Sequence, residues 1–175
     1  PVGKSLMARC AATVKRTSME LGGNAPFIVF DDADVDAAVA GAIVSKYRNA
    51  GQTCVCANRI LVQDAVYERF AARFLEASRQ LRVGPGTREG VTIGPLINPD
   101  AVSRVRGLID DALQRGAVLL TGASAEVAGD SPYLPPTVLG DATPAMRVFQ
   151  EEIFGPVAPL YRFSSEAEAL ALANA

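Results

Sequence analysis

Histidine is absent from this chain of 175 residues, and its absence excludes several kinds of active site. Without imidazole there can be no Ser-His-Asp triad, no Cys-His pair and no histidine-rich zinc site. Any general acid or base must therefore be a carboxylate, a lysine, a thiol or a tyrosine.

An excess of basic residues and a long apolar run are also missing. The 17 Lys and Arg residues against 19 Asp and Glu residues give a net charge of −2, whereas a surface that binds duplex nucleic acid needs clustered positive charge. No run approaches the roughly 18 apolar residues of a membrane span, and the first residues lack the layout of a signal peptide. The three cysteines, an odd number, do not suggest a disulfide framework. We therefore expect a cytoplasmic protein with no nucleic-acid partner, no membrane partner and no metal centre.

Apolar segments with strand character alternate with amphipathic helices along the chain. This order predicts an α/β fold, in which a mostly parallel sheet carries helices on both faces. Ligands of such sheets lie beyond the carboxyl ends of the strands, where we expect Gly22-Gly23 and the loop at Cys54. The strands are predicted near 19–21, 26–30, 59–63 and 117–121, with three further apolar segments near 137–139, 147–149 and 157–163; helices are predicted near 6–14, 35–48, 64–81, 99–115 and from 166 onward.

Short polar residues predict where these helices begin. The predicted caps are Asp34 with its neighbours Asp31 and Asp32, then Asp64 and Asn98, and a capping box in which Ser165 and Glu168 bond reciprocally. The helix after Asp34 is predicted to bury an apolar stripe made of Val35, Ala38, Val39, Ala42, Ile43 and Tyr47.

Of the three thiols, Cys54 has the most polar setting. It lies in a loop rich in Gly, Gln and Thr, between Arg48 and Arg59, and positive charge nearby favours the nucleophilic thiolate. A structural cysteine in a turn fits the same residues equally well. Cys56 is either a resolving thiol for Cys54 or a packing residue, and Cys10, on the apolar stripe of the first helix, is predicted to be buried.

Acidic residues in two segments are either solvated surface charges or catalytic groups. Glu20 lies in the apolar run 19–21, directly before Gly22-Gly23, and two acids open the segment 151–156. A carboxylate in such a setting is either solvated on an outward face or desolvated as a general base. The residues alone favour the solvated face for Glu20 and for at least one of the two later acids.

Taken together, the segments resemble the aldehyde dehydrogenase superfamily in order along the whole chain. Residues 19–26 (MELGGNAP) resemble its glutamate signature, 51–54 (GQTC) its cysteine signature, and 151–156 (EEIFGP) its nicotinamide-ribose motif. Residues 2–4 resemble the end of the loop that contacts the cofactor phosphates. The resemblance implies an aldehyde-dehydrogenase-like fold in which residues 1–22 end the cofactor-binding domain. Residues 23–175 would then form the catalytic domain, truncated at its C-terminus, because family members are more than twice as long.

Within that family, residues 47–59 are most similar to the succinate-semialdehyde dehydrogenases. The resemblance implies oxidation of a semialdehyde with NAD or NADP, through a cysteine thiohemiacetal and a thioester. The roles that it implies are nucleophile for Cys54, general base for Glu20, carboxylate binding for Arg48, cofactor binding for Leu21, Gly22, Glu152 and Phe154, and possible redox partner for Cys56.

Other interpretations remain open at this point. A same-family alternative is a dehydrogenase for another aldehyde, such as glutarate semialdehyde. A different class of function is a structural or assembly module that does not catalyse. The resemblance also implies a homodimer or homotetramer for the whole protein, and little or no turnover for this stretch by itself.

Overall fold

The computed structural model describes residues 2–122 and 131–175 and contains one mixed sheet within them. Its strands are β1 (Ala25–Val29), β2 (Ala57–Gln63), β3 (Val118–Thr121), β4 (Thr137–Gly140) and β5 (Val157–Phe163). Their order is β1-β2-β5-β4-β3; the first four are parallel, and β3 pairs antiparallel with β4 at one edge. Pro1 and residues 123–130, which belong to the two predicted domains, lie outside the described residues.

Helices cover both faces of the sheet, as the sequence predicts. Alternate residues of β2 and β5 point to opposite faces, because side chains alternate along a strand. The helices are α1 (Val2–Ala11), α2 (Val35–Tyr47), α3 (Asp64–Arg79), α4 (Pro99–Gln114), α5 (Arg147–Gln150) and α6 (Glu166–Ala173). Ile60 and Leu160 pack with α2 and α3, whereas Leu61 and Tyr161 pack with α4, α5 and α6. None of the described helices is long and apolar enough to cross a bilayer.

Short polar side chains begin two of the long helices. Asp34 accepts hydrogen bonds from the backbone of Asp36 and Ala37 at the start of α2. Asn98 does the same for Ala101 in α4, where Pro99 occupies the first turn. These bonds satisfy backbone N–H groups that have no partner inside a helix.

The starts of α3 and α6 differ from the caps that the sequence predicts, which are Asp64 for α3 and reciprocal bonds between Ser165 and Glu168 for α6. Asp64 is the first residue of α3 rather than its cap, because Gln63 holds the cap position without a side-chain bond. Ser165 does cap α6, accepting from the backbone of Glu168 at 3.3 Å. The Glu168 carboxylate, however, binds the backbone N–H and hydroxyl of Ser164.

The N-terminal segment departs furthest from expectation. α1 forms, but Leu6 and Met7 are 42% and 57% exposed, and Cys10 is partly exposed rather than buried. The strand predicted at residues 19–21 is absent from the described structure, where the first strand begins only at Ala25. A strand needs the backbone of a neighbour, and that neighbour, β2, begins its pairing with β1 at Ala25.

The site therefore lies at the opposite end of the sheet from the one predicted. Gly22-Gly23 precedes β1, Cys54 precedes β2, and residues 151–156 precede β5, and these three strands are parallel. All three segments thus meet at the amino ends of the strands. The prediction of the carboxyl ends was wrong because it depended on a strand at residues 19–21.

Candidate active site

A left-handed turn carries the chain from α2 to Cys54. Asn49, Ala50 and Gly51 have φ of 50°, 56° and 75°, and each of the first two adopts a conformation that costs about 1 kcal/mol for a residue with a Cβ. At Gly51, a Cβ would also overlap the carbonyl oxygen of Gly155. The turn therefore brings the thiol loop against the segment that precedes β5.

Gln52 fixes this loop to a distant part of the chain. Its side-chain N–H group donates to the carbonyls of Asn49, at 3.1 Å, and Pro95, at 3.2 Å. Its side-chain oxygen accepts from the backbone of Ile97 at 2.9 Å. The side chain of Asn49 donates in return to the carbonyl of Gln52. The loop that carries Cys54 is thus held by side-chain bonds on both sides of the strained turn.

A cavity of about 400 Å³ contains the side chains that the sequence singles out from three separate segments. It brings together the predicted nucleophile, the predicted base and the four predicted cofactor contacts. A second cavity, of about 470 Å³, shares Gln52 and Phe154 with it. The residues that line the first are Glu20, Leu21, Gly22, Gln52, Thr53, Cys54, Glu152 and Phe154.

The glycines before β1 allow these segments to approach closely. A Cβ on Gly22 would overlap a carboxylate oxygen of Glu152, and a Cβ on Gly23 would lie 3.0 Å from the carbonyl oxygen of Cys54. The backbone N–H of Gly23 donates to the other carboxylate oxygen of Glu152 at 3.0 Å. A side chain at Gly22 would therefore displace the Glu152 carboxylate.

Glu20 lies in the cavity without being desolvated. The residue is exposed, and the neighbouring Leu21 is 52% exposed. The apolar run that suggested burial is not a strand, so its side chains have no sheet face to pack on. Cys54 is half-buried and lines the same cavity.

Arg48 and Cys56 are not among the residues that line this cavity. Arg48 is exposed at the start of the left-handed turn. Cys56 is 7% exposed, and its sulfur lies 2.8 Å from the hydroxyl of Thr53 and 3.8 Å from the carbonyl of Arg48. Both Cys54 and Cys56 are free thiols. The roles predicted for Arg48 and Cys56 stay predictions.

Lys46 is a buried charge that the sequence analysis missed. Its side chain is fully buried, and its ammonium has no hydrogen-bond partner. Burial lowers the pKa of Lys46 to about 8, although the electrostatic interactions of its ammonium with Cys56 and Glu152 act in the opposite direction. The signal was present in the sequence: Lys46 is four residues after Ala42 and eleven after Val35, on the stripe of α2 that faces the sheet.

Two amides were also missed. Asn58, near the start of β2, is 3% exposed, and it bonds to Asn24 and to the backbone on both sides of Glu152. The available signal was a polar residue, Asn58, placed with Arg59 directly before the apolar run 60–62 of the same strand.

The residues around Glu152 fit the nicotinamide-ribose half of NAD or NADP. A carboxylate held by a backbone N–H suits ribose hydroxyls as an acceptor, and the ring of Phe154, 38% exposed, offers an apolar face on the same cavity. Within residues 2–122 and 131–175, no group of three or more acidic, cysteine or histidine side chains could hold a metal ion.

Comparison with known proteins places this geometry in a family. The sequence profile described as "Aldehyde dehydrogenase family" matches residues 1–175. The chain is 59% identical to 3-sulfolactaldehyde dehydrogenase of Pseudomonas putida, with 100% of this chain and 36% of that protein aligned. It is 54% identical to the NADP-dependent succinate-semialdehyde dehydrogenase of Escherichia coli K12 (99% and 36%). It is 53% identical to a glutarate-semialdehyde dehydrogenase of Pseudomonas putida (99% and 35%).

Solved structures give the same result for the fold. The crystal structure of succinate-semialdehyde dehydrogenase from Burkholderia pseudomallei matches with a TM-score of 0.93 and 57% identity, over 99% of this chain and 36% of that one. The chain spans about a third of the length of the relatives it matches. With a family match over all 175 residues, the chain belongs to the aldehyde dehydrogenase family.

Proposed function

We propose that the chain is the thiol-carrying catalytic part of an NAD(P)-dependent semialdehyde dehydrogenase, with succinate semialdehyde as the preferred substrate. Residues 1–22 would end the cofactor-binding domain, and residues 23–175 would form most of the catalytic domain. The whole enzyme would be a cytoplasmic homo-oligomer. The observation that carries the proposal is the cavity that Cys54, Glu20 and Glu152 line together, although they come from three separate segments.

The first step would use the thiol of Cys54. Its thiolate attacks the aldehyde carbon and forms a thiohemiacetal, whose oxyanion needs hydrogen-bond donors such as the backbone N–H of Cys54. NAD(P)+, when bound, supplies a hydride acceptor, and loss of the hydride converts the thiohemiacetal into a thioester. Glu152 would hold the ribose hydroxyls, and Phe154 would pack near the nicotinamide ring.

The second step would use Glu20. The exposed carboxylate takes a proton from a water molecule, which attacks the thioester carbon. The C–S bond breaks, the acid leaves, and Cys54 returns to its starting state. Solvent access suits this role because the step consumes one water in every turnover.

The substrate class follows from a feature that the relatives' named substrates share. Succinate semialdehyde, glutarate semialdehyde and 3-sulfolactaldehyde each carry an anionic group at the end remote from the aldehyde. Arg48 is exposed and precedes Cys54 by six residues, and a guanidinium binds carboxylate or sulfonate oxygens through paired hydrogen bonds. A dehydrogenase for glutarate semialdehyde or for 3-sulfolactaldehyde is therefore the second candidate, and Arg48 suits all three aldehydes.

A substrate panel tests the proposal on the complete polypeptide that carries this chain. We expect NAD(P)-dependent oxidation of succinate semialdehyde, loss of that activity in Cys54→Ser, and retention of it in Cys56→Ser. Arg48→Ala should raise the KM for succinate semialdehyde about tenfold or more and leave the KM for butanal, which has the same length and no charge, unchanged. Equal effects of Arg48→Ala on the two aldehydes would contradict the anion-binding role. An absence of NADP+ binding in a titration would instead favour a structural module.

A further inference from the structure

Asn58 holds the peptide groups on both sides of Glu152, and we propose that it is a positioning residue for cofactor binding. The inference rests on the proposed function, because it assigns to Asn58 the placement of the carboxylate that would bind the ribose. It concerns an amide that does not line the cavity and that acts through another residue.

The hydrogen bonds of Asn58 bracket Glu152. Its side-chain N–H group donates to the carbonyl of Glu151 at 3.0 Å, and its side-chain oxygen accepts from the backbone N–H of Ile153 at 2.9 Å. These two backbone groups belong to the two peptide bonds that flank Glu152. A single side chain thus fixes the backbone on either side of the carboxylate-bearing residue.

The remaining hydrogen of the Asn58 amide is also used. It is donated to the side-chain oxygen of Asn24, whose own amide donates to the carbonyl of Phe149 at 2.8 Å. Asn58 therefore uses two donors and one acceptor in a buried site, where an unpaired group would be costly. An aspartate has the same shape but no donor, and a serine has only one, so neither side chain reproduces the arrangement.

A residue of α4 also holds this peptide segment. Arg104 donates to the carbonyls of Glu152, at 3.1 Å, and Ile153. Asn58 and Arg104 fix the backbone of Glu152. Its carboxylate then accepts a hydrogen bond of 3.0 Å from the backbone N–H of Gly23. The loop of Cys54 is held separately, through Gln52 and its bonds to residues 95–97. Loss of the Asn58 amide should therefore disturb Glu152 more than the thiol.

The test compares Asn58→Ala and Asn58→Asp with the wild type in the complete polypeptide. The dissociation constant for NADPH is measured by nicotinamide fluorescence without any aldehyde, and the reactivity of Cys54 is measured by iodoacetamide alkylation. We expect each substitution to weaken NADPH binding about tenfold, while the alkylation rate stays within about twofold. Phe70→Leu is the matched control, because it removes volume from a buried site in α3 and should lower the melting temperature without weakening NADPH binding.

A double-mutant cycle identifies the residue through which Asn58 acts. If Asn58 positions Glu152, then Asn58→Ala should add little to the loss of NADPH binding already caused by Glu152→Ala. Where Asn58→Ala does not fold, Asn24→Ala serves instead, because it removes the bonds of Asn24 to Asn58 and to the carbonyl of Phe149 but leaves the two bonds of Asn58 around Glu152 in place. Asn24→Ala should weaken NADPH binding by a smaller factor.

Three outcomes would overturn the inference. One is unchanged NADPH binding in the folded Asn58 variants, the second is a parallel fall in thiol alkylation, and the third is additivity with Glu152→Ala. Absence of NADPH binding in the wild type would be a different result, because it would contradict the proposed function itself.

Discussion

At the level of single residues, Lys46 is the clearest conflict between burial and charge. A lysine that loses water without gaining a hydrogen bond holds its proton less tightly, and the pKa of Lys46 is lowered from 10.5 to about 8. The unfolded chain therefore binds this proton more tightly than the folded chain does. Between pH 8 and pH 10.5 the unfolded state keeps the proton and the folded state loses it, so the contribution of Lys46 to stability rises with pH.

Lys46→Met should stabilise the protein at neutral pH. The substitution keeps the length of an unbranched side chain and removes the buried charge, which at pH 7 costs roughly 3 kcal/mol by the shift from 10.5 to about 8. Thermal unfolding of the wild type and the variant from pH 7 to pH 10 should give curves whose difference shrinks as the pH rises. A difference independent of pH would show that Lys46 keeps its proton in the folded protein up to pH 10, which would contradict the lowered pKa.

At the level of elements, the loop from residue 48 to 56 determines where Cys54 lies. Gly51 tolerates a φ of 75° and the contact with Gly155, both of which a side chain would oppose. Gln52 then holds the loop through Pro95 and Ile97. The left-handed turn and the hydrogen bonds of Gln52 both hold the short segment that carries Cys54. Removing the bonds of Gln52 therefore tests whether they place the thiol.

Gln52→Ala should reduce kcat/KM for the aldehyde by about tenfold or more, because it removes three side-chain bonds that hold the thiol loop. Steady-state kinetics of the complete polypeptide measures this effect. Gln63→Ala is the control, since Gln63 forms similar side-chain bonds with Asp31 at the opposite end of β2. Equal losses in the two variants would contradict a specific role for Gln52.

The start of α4 gives a stability prediction that is independent of the site. Asn98 accepts a bond from Ala101 at 2.8 Å, and replacing such a cap by alanine typically costs about 1 kcal/mol. Chemical denaturation should show this loss for Asn98→Ala with no change in the KM for NADP+. A stability equal to that of the wild type would mean that solvent replaces the cap.

Helix starts and alternating patterns were predictable because they depend on near neighbours in sequence. The caps Asp34 and Asn98 and the alternation of strands and helices were predicted and are confirmed. The strand at residues 19–21 was wrong because a strand depends on a partner that local sequence does not reveal. The inner stripe of α2 was predicted, yet Lys46 was overlooked on it because a lysine is rarely buried without a partner.

At the level of the whole molecule, the parallel sheet assembles the site. Because β1, β2 and β5 are adjacent and parallel, the segments that precede them meet at one end of the sheet. Gly23 and Glu152, which form a hydrogen bond there, are 129 residues apart in the sequence. Six of the residues that the resemblance singled out line the cavity, whereas Arg48 and Cys56 do not, and the roles of all eight stay predictions. The resemblance could not anticipate the Asn24–Asn58 network, which depends on how β2 lies beside the segment before β5.

The account depends most on Cys54 and Glu20 acting in turn on the same carbonyl carbon. In the complete polypeptide, Glu20→Gln should still form the thioester but hydrolyse it slowly, because the water then lacks its base. Mass spectrometry of peptides, after mixing this variant with succinate semialdehyde and NADP+, should find the mass of a succinyl group on Cys54. An unmodified Cys54 in a variant that still reduces NADP+ at the wild-type rate, or a succinyl group found on Cys56 instead, would contradict the account.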